Sequence, residues 1–245
     1  MKIALVGFGR MGKEIESLSQ EMGHEIVAVF DEYSPLVETS GLGGAGVLID
    51  FSLGEAVLDV LRVAAKNTVP VVEGTTGWYD RFDEARAIEG LTMIYSPNFS
   101  IGVYQFTQLV RRAARLLGPL ECYDTYVHEW HHSGKADSPS GTAARLAEVL
   151  VEELPNKDSS MHESCHRQIE PSELHVTSTR VGRMPGTHEV GFDSEYDQIQ
   201  LRHVALGRTG FAYGSLKAAE WIVDRQGIYT MDDWMNSSQG AKGEA

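Results

Sequence analysis

Lys2-Ile3-Ala4-Leu5-Val6-Gly7-Phe8-Gly9-Arg10-Met11-Gly12 combines a short apolar run with the glycine spacing G-x-G-x-x-G. Residues 3–6 predict a β-strand, and residues 10–21 predict an amphipathic helix directly after the glycines. The first glycine permits a tight turn, the second lets the backbone approach a pyrophosphate, and the third allows the helix to pack closely on the strand. This context is typical of a dinucleotide-binding βαβ unit.

The rest of the first hundred residues repeats the same alternation. Short β-branched runs predict further strands, and helical patterns between them predict crossover helices. The strands are expected at residues 25–30, 47–50, 69–72 and 92–95, and the helices at residues 55–66 and 80–88. We therefore predict an α/β fold with a Rossmann-type doubly wound parallel sheet.

The pattern changes after an amphipathic helix predicted at residues 101–117, on which Phe106, Leu109, Val110, Ala113 and Leu117 form the apolar face. Strand patterns follow without helices between the last three of them, which favours a second α+β domain with a mixed or antiparallel sheet. These strands are expected at residues 121–129, 174–181, 188–192 and 198–205. Helices are expected at residues 144–153 and 211–225, the second of them returning to the first domain. A loop is expected at residues 155–172 and a frayed tail at residues 236–245. We expect a dinucleotide-binding domain of residues 1–101 and 209–245, and a substrate-binding and oligomerisation domain of residues 102–208.

Composition restricts the function classes. The 245 residues include 21 Lys and Arg against 35 Asp and Glu, a formal net charge of −14. This charge disfavours nucleic acid as a partner and requires local positive groups around any anionic substrate. The two cysteines, Cys122 and Cys165, show no metal-binding spacing and suggest a reduced, cytoplasmic protein. No apolar stretch approaches the roughly 20 residues that cross a bilayer, so we expect no membrane partner.

Several residues are candidates for holding the nucleotide. Asp31, 19 residues after Gly12 at the end of the second strand, is placed to accept hydrogen bonds from the adenosine ribose. The segments after the fourth and fifth strands lie at the same sheet edge as the glycine-rich turn, where such folds bind ligands, although either segment taken alone is also consistent with an ordinary turn. The expected cofactor contacts are Gly7, Phe8, Gly9, Arg10, Met11, Gly12, Asp31, Gly74, Thr75, Thr76, Ser96, Pro97, Asn98 and Phe99.

The residue after Asp31 bears on the choice of cofactor. Glu32 adds a second carboxylate where an arginine would help to hold a 2′-phosphate. We therefore predict NADH as the preferred cofactor. If Glu32 points into solvent, a more distant base such as Arg10 is able to recruit the phosphate, so NADPH remains possible.

His128-Glu129-Trp130-His131-His132 matches H-E-x-x-H, the pattern of zinc proteases. That pattern needs a helix, on which positions i and i+4 share a face. The preceding residues are β-branched and aromatic, and Gly134 and Pro139 follow closely, so the segment is predicted to be a strand that enters a loop. In a strand, His128 and His132 would lie roughly 13 Å apart. We therefore expect no metal site here.

The same segment suits reductive chemistry. Addition of a hydride to a C=N unit leaves negative charge that a proton must neutralise, and His131 or His132 is suited to supply it because imidazole titrates near neutral pH. Lys135 adds a positive charge. Backbone N–H groups at a helix start bind carboxylates, and Gly141 and Thr142 stand at such a start. A pair of surface histidines before an ordinary capped helix remains the alternative.

The motifs together resemble the 4-hydroxy-tetrahydrodipicolinate reductase (dihydrodipicolinate reductase) family of the diaminopimelate route to lysine. The resemblance rests on Glu129-x-His131-His132-x-x-Lys135-x-Asp137-x-Pro139-Ser140-Gly141-Thr142-Ala143, Gly74-Thr75-Thr76-Gly77, Asn98-Phe99-Ser100-x-Gly102, and Arg180-x-Gly182 leading to Gly186-Thr187-His188. It implies NAD(P)H-dependent reduction of a cyclic imine dicarboxylate to tetrahydrodipicolinate. It further implies that His131 donates or accepts the proton, that Lys135 is a second proton donor, and that His132, Gly141 and Thr142 bind substrate.

The resemblance also implies a homotetramer assembled through the sheet of the second domain. Two other functions remain open at this point: an oxidoreductase acting on another amino-acid-derived imine, of the aspartate dehydrogenase type, and a non-catalytic dinucleotide sensor. The intact His-His-x-x-Lys motif argues against both. The sequence assigns no role to Arg180, His188 or Arg208.

Overall fold

The computed structural model of the chain describes residues 1–162 and 165–240. The chain divides into two compact units, one formed by Met1–Ser100 with Arg208–Ala245 and the other by Ile101–Gly207. Within the described ranges, no helix is both long and apolar enough to cross a membrane.

The first unit is built on a six-stranded, fully parallel sheet of strand order β11-β5-β4-β3-β1-β2. Its strands β1 and β3 are short apolar runs that are largely buried, as expected where helices cover a parallel sheet. The strands are β1 Lys2–Val6, β2 Glu25–Phe30, β3 Val47–Asp50, β4 Val71–Glu73, β5 Met93–Tyr95 and β11 Ile228–Thr230; the helices are α1 Arg10–Glu21, α2 Val57–Lys66, α3 Phe82–Arg86, α6 Thr209–Ile222 and α7 Met231–Gly240.

The second unit contains a five-stranded mixed sheet of order β10-β9-β6-β8-β7. β6 pairs parallel with β8 and antiparallel with β9, so it lies at the centre. Two helices pack on the apolar residues of this sheet, with Phe106 and Val110 from one and Leu146 and Leu150 from the other. The elements are α4 Ile101–Leu117, β6 Asp124–His131, α5 Gly141–Glu153, β7 Ser159–Met161, β8 Glu173–Arg180, β9 Thr187–Asp193 and β10 Gln198–Val204.

The predicted fold class is confirmed, and the differences are local. The predicted loop at residues 155–172 contains β7, which pairs with β8 in a three-residue ladder. The predicted frayed tail is helical as far as Gly240, and residues 241–245 lie outside the described residues. β11 was not predicted; it is an edge strand of three residues that pairs with β5. Leu109, placed on the apolar face of α4, is 60% exposed.

Candidate active site

The glycine-rich turn has the geometry that its spacing predicts. Gly7 adopts a φ of +83°, and a Cβ there would lie 2.3 Å from the carbonyl oxygen of Phe51. A Cβ on Gly12 would lie 2.3 Å from the carbonyl oxygen of Gly7, so strand and helix approach too closely for any side chain. Gly9 differs, since none of the described atoms lies within 4 Å of its ideal Cβ position. Gly9 therefore leaves open space at the start of α1, where a pyrophosphate would approach.

A pocket opens at this turn within the first unit. It is lined by Gly9, Arg10, Met11, Phe51, Ser52, Gly74, Thr75, Thr76 and Arg208. The sequence predicted six of these residues as cofactor contacts and missed Phe51, Ser52 and Arg208. α1 begins without a capping side chain from the described residues. Uncapped N–H groups and two arginines fit the negative charge of a dinucleotide phosphate.

The other predicted cofactor residues do not line this pocket. Asp31 follows β2, and its Oδ1 accepts the backbone N–H groups of Tyr33 and Ser34 at 2.9 Å each. Glu32, next to it, is exposed. Phe99 is buried and meets the pocket residue Phe51 edge to face at 6.4 Å.

The loop that carries Phe99 has its own internal hydrogen bonds. Ser96 Oγ donates to the carbonyl oxygen of Asn98 at 2.8 Å, and Asn98 Oδ1 accepts the N–H of Ser100 at 2.8 Å. Gly7, Phe8, Gly12, Asp31, Ser96, Pro97, Asn98 and Phe99 thus have no part in the lining of this pocket. Of the 14 predicted cofactor residues, six line the pocket and eight do not.

A second site forms in the other unit around a buried carboxylate, Glu129, which is 0% exposed. Because side chains alternate along a strand, Glu129 and His131 point from β6 to the same side. Glu129 Oε2 lies 3.2 Å from His131 Nδ1 and 3.4 Å from Nε2 of His188 on β9. Two imidazoles from different strands thus meet one carboxylate.

Glu129 also joins β6 to the start of α5. Its Oε1 accepts the backbone N–H of Ser140 at 2.9 Å, and its Oε2 accepts the hydroxyl of the same residue. Ser178 Oγ and Arg180 Nη2 donate to Oε1 at 2.8 Å and 2.9 Å. Ser140 in turn caps α5 by accepting the N–H of Ala143. Glu129 therefore fixes the helix start that carries Gly141 and Thr142.

The surroundings of this cluster shift the pKa values of Glu129 and His131. Burial alone would raise the pKa of Glu129, but hydrogen bonds from His188, Ser140 and Ser178 hold it well below its ordinary value. Burial lowers the pKa of His131 to about 4, and the positive charges of Lys135 and Arg180 act in the same direction against the opposing effect of Glu129. His131 is therefore neutral at neutral pH when no ligand is bound.

The remaining predicted residues follow β6. His132 comes directly after the strand, and its carbonyl oxygen accepts the N–H of Lys135 in a turn. Lys135 Nζ donates to Asp137 Oδ1 at 2.7 Å, and Arg180 Nη2 donates to the carbonyl oxygen of Asp137. Arg180 thus connects the lysine loop to Glu129. The structure gives this arginine a role that the sequence did not.

The H-E-x-x-H segment does not adopt the helical geometry that a zinc-protease site requires. His128 and Glu129 lie on β6, so the predicted strand is confirmed. Both nitrogens of His128 are hydrogen-bonded to threonine hydroxyls of β8, on Thr177 and Thr179. Ligand atoms of Glu129, His131 and His188 do lie within 4.8 Å of one another. Because Glu129 already accepts from two serines and Arg180, we assign this cluster to hydrogen bonding.

Sequence reasoning left Glu129, Ser178, Arg180 and His188 without roles. The alternation of Glu129 and His131 was a usable signal, since it places both on one face of β6. The pairing of β6 with β8 and β9 was not predictable from any local pattern. A Cβ on Gly186 would lie 2.9 Å from His131 Nε2, so this glycine makes room for the imidazole ring.

The chain matches two models of known protein families. The model of the dihydrodipicolinate reductase N-terminus matches residues 1–99, and that of the C-terminus matches residues 102–235. A 4-hydroxy-tetrahydrodipicolinate reductase of Christiangramia forsetii is 39% identical over 238 residues, which cover 95% of this chain and 97% of that protein. One of Archaeoglobus fulgidus is 38% identical, with 96% of this chain and 100% of that protein covered.

Solved structures show the same fold. A dipicolinate-bound dihydrodipicolinate reductase from Paenisporosarcina sp. TG-14 has a TM-score of 0.74 at 22% identity, with 94% of this chain and 97% of that chain covered. Both parts of the chain match the same family in the expected order. The chain therefore belongs to the dihydrodipicolinate reductase family of NAD(P)H-dependent oxidoreductases.

Proposed function

We propose that the protein reduces 4-hydroxy-tetrahydrodipicolinate to tetrahydrodipicolinate in lysine biosynthesis through diaminopimelate. The observation that carries this proposal is family membership over nearly the whole chain, together with a buried Glu129–His131–His188 cluster beside Lys135. The reaction consumes one hydride and one proton and releases water. It thus requires a hydride carrier, a proton source and positive groups for two carboxylates.

The first unit holds the hydride carrier. When bound, a reduced nicotinamide nucleotide supplies the hydride. Gly9 leaves room for the pyrophosphate, and the positive charges of Arg10 and Arg208 offset its negative charge. The carboxylate of Asp31 is fixed at the end of β2 to accept ribose hydroxyls. Phe99 supports the pocket residue Phe51 through their edge-to-face contact.

The second unit handles the proton and the substrate carboxylates. Lys135 carries a proton as an ammonium group and delivers it, while Asp137 holds the lysine side chain in place. His131 takes part as a proton donor or acceptor. The two negative charges of the substrate raise the pKa of the imidazole from its low unliganded value and make it a better proton carrier. His132 and the α5 start at Gly141 and Thr142 hold the carboxylates.

NADH is the preferred cofactor in this proposal. The support is electrostatic, because Asp31 and the exposed Glu32 place two carboxylates where a 2′-phosphate would have to lie. NADPH remains a usable second cofactor because Arg10 and Arg208 line the neighbouring pocket.

The protein is proposed to be a cytoplasmic homotetramer. Both cysteines are free thiols, which suits a reducing compartment. On β6, Val127 points to the helices, whereas Tyr126, His128 and Trp130 point to the opposite face of the sheet and are only partly buried. This open face is the surface through which copies of the chain would pair. Sedimentation velocity would measure the assembly, and a monomer at micromolar concentration would contradict it.

A direct assay tests the activity. Freshly generated substrate is added to enzyme and NADH, and the loss of NADH absorbance is followed. In the control reactions, aspartate or diaminopimelate is added to enzyme and NAD⁺, and the formation of NADH is followed. We expect turnover only with the cyclic dicarboxylate. Turnover with aspartate instead would identify an aspartate dehydrogenase-type enzyme, and NADH binding without turnover would identify a sensor.

A further inference from the structure

Two acidic side chains that take no part in the proposed chemistry are buried in the first unit. Asp50 ends β3 and Glu73 ends β4, and both are 0% exposed. The two residues are partners in the parallel ladder, so their side chains leave the sheet side by side on the same face. The charge of Asp50 raises the pKa of Glu73, so the two carboxyl groups influence each other. Two adjacent carboxylates in a protein interior cannot both remain charged without a large cost.

Each carboxyl group uses one oxygen to hold a wall of the nucleotide pocket. Asp50 Oδ1 accepts the N–H of Ser52 at 2.8 Å, and Glu73 Oε1 accepts the N–H of Thr75 at 2.7 Å. Ser52 and Thr75 both line the pocket, and the N–H of Ser52 also reaches Thr75 Oγ1 at 3.0 Å. The acid pair therefore anchors two pocket walls that touch each other.

The other two oxygens have no such partner. Asp50 Oδ2 and Glu73 Oε2 are buried, and none of the residues that the structure describes donates a hydrogen bond to them. A buried carboxylate oxygen without a donor is costly. A single proton held between the two carboxyl groups would satisfy both oxygens at once.

Among the residues that the structure describes, no cation shifts the pKa of either carboxyl group. Trp78 is fully buried nearby, and its Nε1 donates to the carbonyl oxygen of Thr75. The titratable groups that face the pair are two phenols: Tyr95, in register with Glu73 on β5, and Tyr79, whose pKa is raised to about 12 by burial and by Glu73. The charged groups of neighbouring helices pair among themselves, Asp59 with Arg62 on α2 and Lys217 with Glu220 on α6.

We propose that Asp50 and Glu73 share one proton and act as a positioning pair for the nucleotide site, so that loss of this proton weakens nucleotide binding. This proposal rests on the proposed nucleotide site. With the proton, one hydrogen bond joins the two strand ends and holds Ser52 and Thr75 together. Without it, two buried negative charges repel each other directly beneath a pocket that must accept an anion.

The expected pH dependence of NADH binding follows from the direction in which the pKa values of Asp50 and Glu73 are shifted. Burial raises the pKa of both carboxyl groups, and the charge of Asp50 raises the pKa of Glu73 further. The shared proton is thus held to higher pH than in a free carboxyl group, and it is lost as the pH rises. We expect the dissociation constant for NADH to increase by about tenfold towards alkaline pH.

The test compares wild type with Glu73→Gln. The amide keeps an acceptor for Thr75 and supplies a non-titrating N–H donor to Asp50. Calorimetric NADH titrations from about pH 6 to about pH 9.5 should show the loss of affinity in wild type and a nearly flat curve in the variant. Glu89→Gln, which changes an exposed carboxylate of the same unit, should follow wild type. Parallel curves for wild type and Glu73→Gln would overturn the proposal.

A second measurement needs no nucleotide. Infrared difference spectra should show the carbonyl band of a protonated carboxyl group in wild type at neutral pH, and this band should disappear in Glu73→Gln. Absence of the band in wild type would overturn the proposal, whatever the binding data show. If wild type binds neither NADH nor NADPH at any pH, the proposed nucleotide site is wrong, and so is the positioning role. The infrared band would then still decide whether the pair shares a proton.

Discussion

Glu129 Oε2 lies 3.2 Å from His131 Nδ1, and the two residues are separated by one position on the same strand. The carboxylate contacts His188 and Arg180 as well, so it links three strands of the mixed sheet through one side chain. Glu129 thereby places beside His131 an anion that opposes the lowering of its pKa by burial.

Replacement of Glu129 by Gln should reduce kcat by about 10- to 100-fold, because His131 loses its anchoring charge. The pH profile of kcat/KM should also move towards lower pH, since the negative charge that raises the pKa of His131 is gone. Steady-state assays across pH would measure both effects. Glu148→Gln, an exposed change on α5, serves as control, and an unshifted profile in Glu129→Gln would exclude the positioning role.

Lys135→Ala should lower kcat by about 100- to 1000-fold through loss of a proton donor. NADH affinity should stay within about twofold of wild type, because the nucleotide pocket is lined by residues of the other unit. Turnover and fluorescence titration of NADH measure the two quantities separately. Arg145→Ala removes an exposed cation of the second unit and should change neither kcat nor NADH affinity. A large loss of NADH affinity in Lys135→Ala would show that the lysine contacts the cofactor instead.

The protein should lose stability as the pH falls from about 6.5 to about 4. The pKa of His131 drops from 6.5 to about 4 on folding, so the unfolded chain takes up the proton first. The folded state has its full stability at pH values above the pKa of His131 in the unfolded chain. The free energy of unfolding then falls by about 2 to 3 kcal/mol as the pH drops through this window. Urea unfolding at several pH values would measure it. His131→Gln should flatten this dependence, and exposed His166→Gln should leave it unchanged; equal slopes in all three proteins would refute the assignment.

Gly9→Ala should fold normally and yet bind NADH more weakly, by about 10- to 100-fold. The added methyl group meets no described atom within 4 Å, so it projects into the space kept for the pyrophosphate. Gly7→Ala is the contrasting variant, because its Cβ would lie 2.3 Å from the Phe51 carbonyl oxygen and should destabilise the fold instead. Thermal unfolding and calorimetry separate these outcomes. Wild-type affinity in Gly9→Ala would place the nucleotide elsewhere.

Wild type should use NADH with a higher kcat/KM than NADPH, and Glu32→Arg should raise kcat/KM for NADPH by about tenfold. The substitution replaces an exposed negative charge beside Asp31 with a group that pairs with a 2′-phosphate. Glu38→Arg makes the same charge change at another exposed position and should have little effect. A wild-type preference for NADPH would show that the charge argument is wrong.

Local pattern predicted most of the fold. The glycine spacing, the β-branched runs and the helical period of residues 101–117 each depend on neighbours in sequence, and the structure confirms the elements they indicate. The strands β7 and β11 escaped prediction, and each lies at the edge of its sheet, where it forms only because a neighbouring strand offers it hydrogen bonds. Their existence is a property of the assembled sheets.

The residues of the candidate site also divide into those that local sequence signals reveal and those that only the folded chain brings together. The glycine-rich turn, the His131 to Thr142 segment and the family to which they point can be recognised in the sequence, because these signals lie within a few residues of one another. The folded chain adds Arg208 to the lining of the pocket at the glycine-rich turn, brings Glu129 to His188 and Arg180, and sets Asp50 beside Glu73. The physical reason is that strand pairing brings together residues separated by 23 to 59 positions, and a buried charge acquires its partners only when the strands are in register.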